Sequence, residues 1–287
     1  MKADGELAIG KAELWLKQND RYRLPVDPKE IARSLDIEVQ AKPGTEPGVS
    51  GMLLRHGEAF GILYATHIDS EGFQNFSIAH ELGHYLLEGH PEALFPKGDG
   101  MHKSQAGFLS ADQYEREADY FAAGLLMPSG PFRQALIKED EGLPAIESLA
   151  AKCRTSLTAT AIRWAKLTSV PAAVVMTTDN RIDWVFMSKA LQEVDGLTWL
   201  RKGDPVPSGV PTDTFIRSPD NIRLGRKMAD EVQLRDWFGG RAGVKADEDI
   251  IGLGSYGKTL TVLTVDLPDE DEDGDLEESW TPRFRGR

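Results

Sequence analysis

The residues best suited to chemistry lie in the stretch FSIAHELGHYLL, residues 76–87. His80 and His84 are four residues apart, and Glu81 directly follows the first of them. If this stretch is helical, both imidazoles project from one face about 5–6 Å apart. Two imidazoles at that separation can share one tetrahedral zinc ion, and the adjacent glutamate can take a proton from a coordinated water. The spacing therefore predicts a zinc site with His80 and His84 as ligands and Glu81 as general base.

A catalytic zinc site needs a third protein ligand and one open position. The downstream segment YEREADYFAAGLLMP offers Glu115 and Glu117. On a helix, Glu115 shares a face with two small alanines and with Asp119, which could accept the second ring N–H of a ligating histidine. Choosing Glu117 would place Phe121 at that acceptor position. We therefore expect Glu115 to be the third ligand, Asp119 to support the ligands and Glu117 to face solvent.

Such a site would hydrolyse a peptide bond. Zinc would lower the pKa of a coordinated water to about 7 and polarise the scissile carbonyl. Glu81 would take the water proton and pass it to the leaving amine. A further donor would stabilise the oxyanion, and the sequence does not choose among its candidates, which are Tyr85, His90, His102, Tyr114 and Tyr120.

The elements that must position these residues follow from hydrophobic periodicity and from capping signals. In chain order they are helices over residues 5–18 and 28–35, a strand over 37–41, a hairpin of VSGMLL and FGILYA, and the motif helix over about 72–88. Gly89 is suited to end the motif helix. After a loop over residues 95–107, a capping-box pattern at Ser110 predicts a second motif helix from about Ala111 to just before Pro128.

The rest of the chain reads as further helices and then strands. Helical stretches at about 131–139 and 144–167, the second with a turn at Arg154–Thr155, favour a helix-turn-helix. Beyond Pro171, AAVVMTT and RIDWVFMS predict a hairpin with an Asp-Asn turn. A helical stretch at 224–238 and two strands within EDIIGLGSYGKTLTVLTVD follow. The basic residues of the helix-turn-helix permit DNA binding, but the chain's net charge of −13 favours packing or partner docking.

Composition sets the broad class. The 287 residues are 40% hydrophobic and 28% charged, which fits two or three compact soluble units. Nine of the thirteen residues at 266–278 are acidic, which indicates a solvated, disordered tail. The single cysteine, Cys153, excludes an internal disulfide and suits a reducing compartment. Without an apolar run of membrane-spanning length or an apolar signal core, we expect a cytoplasmic protein with no membrane contact.

Three segments together carry a family resemblance: FSIAHELGHYLL, EREADYFAAGLLMP and LAAKCRTSLTATAIRW. They resemble the ImmA/IrrE family of bacterial metallopeptidases, over about residues 20–168. The proposed ligand set is similar to the gluzincin arrangement, in which a glutamate on a later helix completes the site. The C-terminal part is similar to the GAF-like sensor domain of IrrE only in general layout. Asn75 departs from the family, where many relatives carry a basic residue, and puts a substrate or structural contact in doubt.

The resemblance implies an α+β fold and a division into domains. These are a zincin-like metallopeptidase domain (1–135), a helix-turn-helix-like helical region (136–168), a GAF-like domain of mixed α/β structure with an antiparallel sheet (169–266), and the acidic tail (267–287). It also implies a cytoplasmic zinc endopeptidase that cuts a helix-turn-helix transcriptional repressor under stress or DNA damage. By position in the family motif, His80, His84 and Glu115 would bind Zn2+, Glu81 would be the general base, and Asp119 would support the ligands.

Two other functions fit the same residues. One is a non-catalytic, zinc-stabilised regulator that binds DNA or a repressor, and the other is a component of a toxin–antitoxin pair. Glu81 separates the enzyme from the regulator, because a purely structural zinc site has no use for a base beside the metal.

Overall fold

The computed structural model describes residues 5–42, 49–104, 112–240 and 243–266. The predicted helix start at Ser110 and the predicted acidic tail lie outside these residues. The chain divides after Thr168 into two compact units. Helices and largely antiparallel sheets occur together, which confirms the predicted α+β class. The finer division of the first unit at residue 135 stays a prediction.

The first unit combines a small sheet with several helices. Its elements are α1 (Gly5–Gln18), α2 (Pro28–Ser34), β1 (Glu38–Lys42), β2 (Gly51–His56), β3 (Ala59–Ala65), α3 (Glu71–Leu86), α4 (His90–Leu94), β4 (Gly100–Ser104), α5 (Gln113–Leu126), α6 (Ser129–Leu136), α7 (Gly142–Cys153) and α8 (Leu157–Leu167). The strand order is β1-β3-β2-β4; β1 runs parallel to β3 and the other pairs are antiparallel. The motif helices are α3 and α5.

Local sequence sets the ends of both motif helices. The Ser70 side chain caps α3 by accepting a hydrogen bond from the backbone N–H of Phe73. The Asp112 side chain caps α5 by accepting from the N–H of Tyr114 at 2.7 Å. Both caps satisfy N–H groups that have no partner within the helix. Beyond α3, Gly89 adopts a φ of +84°, a left-handed conformation that only glycine reaches without strain, and the chain turns there into α4.

Small residues allow the motif helices to approach closely. A Cβ atom on Gly83 of α3 would lie 3.2 Å from the Cα of Ala118 on α5. On the other side of α5, a Cβ atom on Gly124 would lie 2.9 Å from the Cα of Ile9 on α1. Close backbone packing at both contacts fixes the depth and rotation of α5 against α3.

The predicted loop over residues 95–107 is wrong for its middle part, which forms β4. This strand pairs antiparallel with β2, with Met52 opposite Lys103. Its side chains are largely exposed, so burial leaves no alternating apolar pattern from which a strand could be predicted. The segment is extended because its backbone forms hydrogen bonds with the edge of β2.

The helix-turn-helix segment packs on the first motif helix. Arg154 ends α7 in a left-handed conformation, and Ser156 caps α8. A Cβ atom on Gly72 of α3 would lie 2.3 Å from the backbone nitrogen of Ser156, so the turn touches the α3 backbone. The Asn75 side chain donates a hydrogen bond to the carbonyl of Arg154 at 3.0 Å. The residue that departs from the family pattern therefore makes a structural contact.

The second unit is built on a five-stranded antiparallel sheet. Its elements are β5 (Ala172–Thr178), β6 (Arg181–Met187), α9 (Lys189–Gln192), α10 (Pro211–Ile216), α11 (Pro219–Arg223), β7 (Lys227–Gln233), α12 (Leu234–Phe238), β8 (Lys245–Gly252) and β9 (Lys258–Asp266). The strand order is β6-β5-β9-β8-β7. The predicted β5–β6 hairpin and the strands β8 and β9 are confirmed. No helix in the described part of the chain is both long and apolar enough to cross a membrane.

The helix predicted over residues 224–238 is wrong for most of its length. Residues Lys227–Gln233 form an edge strand paired with β8, and only Leu234–Phe238 are helical. The strand is polar and mostly exposed, so its sequence lacks the apolar alternation of a half-buried strand. Pairing with a neighbour overrides local propensity here.

Candidate metal centre

Three of the predicted site residues converge between α3 and α5. The Nε2 atoms of His80 and His84 lie 3.0 Å apart. The Glu115 carboxylate faces both rings, with Oε2 at 3.4 Å from His80 Nε2 and Oε1 at 3.2 Å from His84 Nε2. One potential ligand atom from each residue lies within 4.8 Å of the others. Both histidines are fully buried, so these groups meet in a nearly closed interior site.

Asp119 contacts the outer side of this cluster. Its Oδ1 atom lies 2.8 Å from His80 Nδ1, and the side chain is fully buried. It stands one turn after Glu115 on α5, so a single helix supplies both carboxylates. This contact fixes the orientation of the His80 ring, with its Nε2 atom toward Glu115 and His84.

Glu117 does not face solvent freely, in contrast to the prediction. Its Oε2 atom lies 3.2 Å from His90 Nε2, and four-fifths of its side chain is covered. The His90 ring is buried, and its Nδ1 lies 3.1 Å from Nδ1 of His84. From the sequence, His90 is predicted only as a possible oxyanion donor. Its position six residues after His84, directly behind Gly89, is the signal that could have indicated this contact.

Glu81 projects into the site with an unusual environment. It is fully buried, and neither of its carboxylate oxygens meets hydrogen-bond geometry with a described residue, although the Ser104 hydroxyl is near enough to lower its pKa. Burial raises the pKa of Glu81 to about 7, against the opposing influence of His80. The backbone of β2 passes directly over this carboxylate, and a Cβ atom on Gly51 would lie 2.4 Å from Glu81 Oε1. A side chain at residue 51 would therefore displace the Glu81 carboxylate from its present position.

The pKa values of His80, His84 and Glu115 are shifted in different directions. Burial lowers the pKa of His84 to about 3, so this ring is neutral. Burial would also lower the pKa of His80, but contacts with Asp119 and Glu115 outweigh it and raise that pKa to about 10. Burial alone would raise the pKa of Glu115, whereas hydrogen bonds from His102, His80 and His84 hold it well below its usual range. The His80 ring is therefore protonated and lies between the carboxylates of Asp119 and Glu115.

One oxyanion candidate reaches the ligand cluster from β4. His102 Nε2 lies 2.7 Å from Glu115 Oε1, and about a fifth of the His102 side chain is exposed. The three tyrosine candidates contact other groups: Tyr85 packs on Phe60, Tyr114 on His90, and Tyr120 under the Lys166 ammonium. His102 comes from the strand that the sequence did not predict.

The donor set fits a divalent cation such as zinc. It offers two imidazole nitrogens and the Glu115 carboxylate, which face one another, next to the Glu81 carboxylate, whose oxygens lack a hydrogen bond of normal geometry within the described part of the chain. Buried carboxylates are costly unless they are paired or bind a metal. Neutral imidazole and carboxylate ligands suit zinc, and a water can complete a tetrahedral catalytic site.

A helical HExxH segment and a later helical glutamate in an α+β unit define a metallopeptidase-like domain. Comparison with known proteins agrees: residues 32–165 match the family model described as "Peptidase_M78: IrrE N-terminal-like domain". An IrrE N-terminal-like peptidase domain is therefore present. Its presence supports the predicted resemblance to the ImmA/IrrE family, and that family implies the use of a metal.

The fold likeness extends beyond that domain. A solved chain described as "Mycobacterium tuberculosis transcriptional regulator" is similar with a TM-score of 0.57 and 15% sequence identity. The similarity covers 92% of this chain and 76% of the other one. At this identity it shows a shared fold alone. A search of curated proteins finds no match.

Proposed function

We propose that this protein is a cytoplasmic, zinc-dependent endopeptidase that makes a site-specific cut in a helix-turn-helix transcriptional repressor during a stress or DNA-damage response. The observation that carries the proposal is the Glu81 carboxylate, which is buried beside the His80–His84–Glu115 cluster and forms no hydrogen bond of normal geometry with any described residue. A structural metal site gains nothing from such a group, whereas a hydrolase needs it. The matched peptidase family supports the same reading.

His80 and His84 would hold the zinc ion through Nε2, and Glu115 would hold it through its carboxylate. When bound, zinc supplies Lewis acidity toward the scissile carbonyl and lowers the pKa of water to about 7. Asp119 would keep one His80 proton on Nδ1, so that the proton released on metal binding comes from Nε2 and this atom can face the zinc ion.

Glu81 would move the proton. A carboxylate placed beside the attacking water can accept a proton from it and later release that proton to the leaving group. No described residue forms a hydrogen bond of normal geometry with the Glu81 oxygens, which leaves them available to an attacking water. Glu81 would take the water proton on one oxygen and then deliver it to the leaving amine.

His102 is our candidate for the oxyanion donor. Its Nε2 lies within hydrogen-bond distance of Glu115, and its ring is partly exposed, as a group that contacts substrate must be. A positioned donor at developing negative charge stabilises the transition state more than the ground state.

We assign the remaining regions by analogy with the family: peptidase for residues 1–135, repressor recognition for 136–168 and a GAF-like sensor for 169–266. The charges of α8 support protein docking over DNA binding. Arg163 is buried, donates to the Met127 carbonyl at 2.9 Å and pairs with Glu13 at 3.2 Å. Lys166 lies over the Tyr120 ring. Both cations are thus used inside the first unit.

Co-expression with a helix-turn-helix repressor encoded by a neighbouring gene tests the proposal. The wild-type protein should cut the repressor into two fragments. Glu81→Gln should bind zinc normally and cut about 10²–10⁴-fold more slowly, because the proton acceptor is lost. Glu88→Gln, the same change at an exposed position just beyond α3, should cut normally. Undiminished cleavage by Glu81→Gln would contradict the mechanism.

A non-catalytic regulator is the second candidate, and the similar solved chain described as a transcriptional regulator favours it. In that case zinc-loaded wild-type protein would bind the repressor or DNA and leave the repressor intact. A toxin–antitoxin role would keep the peptidase chemistry, but the neighbouring gene would encode a protein that suppresses toxicity. The co-expression experiment separates the first of these from the enzyme directly.

A further inference from the structure

His84 has its own chain of outer contacts, separate from that of His80. From His84 Nδ1, the contacts run 3.1 Å to His90 Nδ1, and from His90 Nε2 they run 3.2 Å to Glu117 Oε2. The other Glu117 oxygen accepts a hydrogen bond from Gln113 at 2.7 Å. We propose that His90 and Glu117 are positioning residues that form a relay, which fixes the His84 ring in its metal-binding tautomer. The relay rests on the metal site proposed above.

Hydrogen-bond chemistry orders every proton in this relay. If His84 presents the Nε2 lone pair to a metal, its ring proton is on Nδ1. The His90 Nδ1 must then accept that proton's hydrogen bond, which places the His90 proton on Nε2. That N–H faces Glu117, a carboxylate that can only accept. The opposite set of tautomers would leave His90 with a lone pair aimed at the carboxylate, which is repulsive.

The fold holds His90 in place for this contact. The left-handed turn at Gly89 brings the chain back after α3, and His90 as a whole residue is 1% exposed. The Tyr114 ring meets the His90 ring edge-on, with centroids 4.9 Å apart. The helix α5 carries Glu115, Glu117 and Asp119. It would therefore supply one metal ligand, the carboxylate that contacts His80 and the carboxylate that contacts His90.

Two substitutions at His90 separate the relay from simple packing. Asparagine places an acceptor oxygen near the position of Nδ1, whereas glutamine places its amide near Nε2 and leaves His84 Nδ1 without its acceptor. We expect the zinc dissociation constant of the full chain, measured by chelator competition, to rise about 10–100-fold for His90→Gln. It should remain close to wild type for His90→Asn. His56→Gln, the same change in an exposed histidine, should have no effect.

Glu117→Ala is the second test, because its partly exposed position tolerates truncation and it removes the end of the relay. We expect its zinc affinity to fall about tenfold, with an unchanged circular dichroism spectrum. If His90→Gln does not fold, Glu117→Ala decides the question.

The outcomes distinguish the relay from the metal site. Wild-type affinity in both His90→Gln and Glu117→Ala would overturn the relay and leave the metal site standing. Equal losses in His90→Asn and His90→Gln would also overturn it, because they would show a packing role. Failure of the wild-type protein to bind zinc would instead overturn the metal site itself.

Discussion

At the scale of single residues, the two zinc-motif histidines are anchored differently. The His80 ring contacts Asp119 directly, whereas the His84 ring reaches a carboxylate through His90. An anchored ring loses little conformational freedom on binding a metal, so both contacts favour a preformed site. His102, which contacts Glu115, differs from these two buried histidines because its side chain is partly exposed.

Replacing His102 tests its role as a donor. His102→Ala should lower kcat about 10²–10³-fold at saturating zinc, because the developing oxyanion loses its hydrogen bond. Peptide cleavage should be measured at a zinc concentration that fills the site of the variant, since His102 also contacts a proposed ligand. Tyr114→Phe, which removes another candidate donor, should keep its rate. Equal rates for His102→Ala and wild type would exclude the proposed donor.

Sequence spacing was informative where one helix decides geometry. The i, i+4 relation placed His80 and His84 together, and the helical face placed Asp119 one turn beyond Glu115. The contacts of His90 and His102 could not be predicted in this way. They depend on a left-handed turn after α3 and on a strand that exists only through pairing with β2.

At the scale of elements, the turn between α7 and α8 packs closely against α3 and helps to hold it in place. The turn between α7 and α8 touches α3 at Gly72, and the Asn75 side chain bonds to the carbonyl at the end of α7. The helix-turn-helix segment thereby supports the helix that carries both histidines.

Gly72→Ala tests this packing. Its Cβ would lie 2.3 Å from a backbone nitrogen and 2.4 Å from a backbone carbon, so the elements must move apart. We expect the free energy of unfolding to fall about 1–3 kcal/mol in urea titration. The matched control is Gly10→Ala, inside α1, where an added Cβ has no atom within 4 Å. It should be stabilised by about 0.5–1 kcal/mol. Stability of Gly72→Ala equal to that of Gly10→Ala would contradict the packing.

Elements that are stabilised by local sequence signals are predictable from the sequence, whereas elements that form by pairing with a distant strand are not. Helices with local signals, such as the Asp27 cap and the proline in the first turn of α2, were predicted almost to the residue. The edge strands β4 and β7 are not predicted from the sequence. Both are mostly exposed and polar, so they lack an alternating apolar pattern and form because they hydrogen-bond to a neighbouring strand.

At the scale of the whole molecule, the second unit carries a buried acid of its own. Glu248 is fully buried and accepts hydrogen bonds from the N–H and hydroxyl of Thr212 at 2.7 and 2.6 Å, and from the Trp237 indole at 2.7 Å. Burial outweighs these donors and raises the pKa of Glu248 above its ordinary value of 4.5. Between 4.5 and the raised pKa, the folded state therefore holds a proton that the unfolded chain has released.

This difference gives stability a defined pH dependence. As pH rises above about 4.5, the free energy of unfolding of the wild type should fall relative to that of Glu248→Gln, which stays neutral. The fall should end once pH passes the raised pKa of the folded carboxyl. Urea unfolding of both proteins at several pH values measures the difference. A difference that does not change with pH would contradict the shift.

The central claim is that α3 and α5 together hold one zinc ion, and anomalous diffraction at the zinc absorption edge tests it most directly. Crystals of the zinc-loaded protein should show one anomalous peak about 2.0–2.2 Å from an Nε2 atom of His80, an Nε2 atom of His84 and a Glu115 oxygen. No peak between the two rings, with the Glu115 carboxylate turned away from them, would contradict the account.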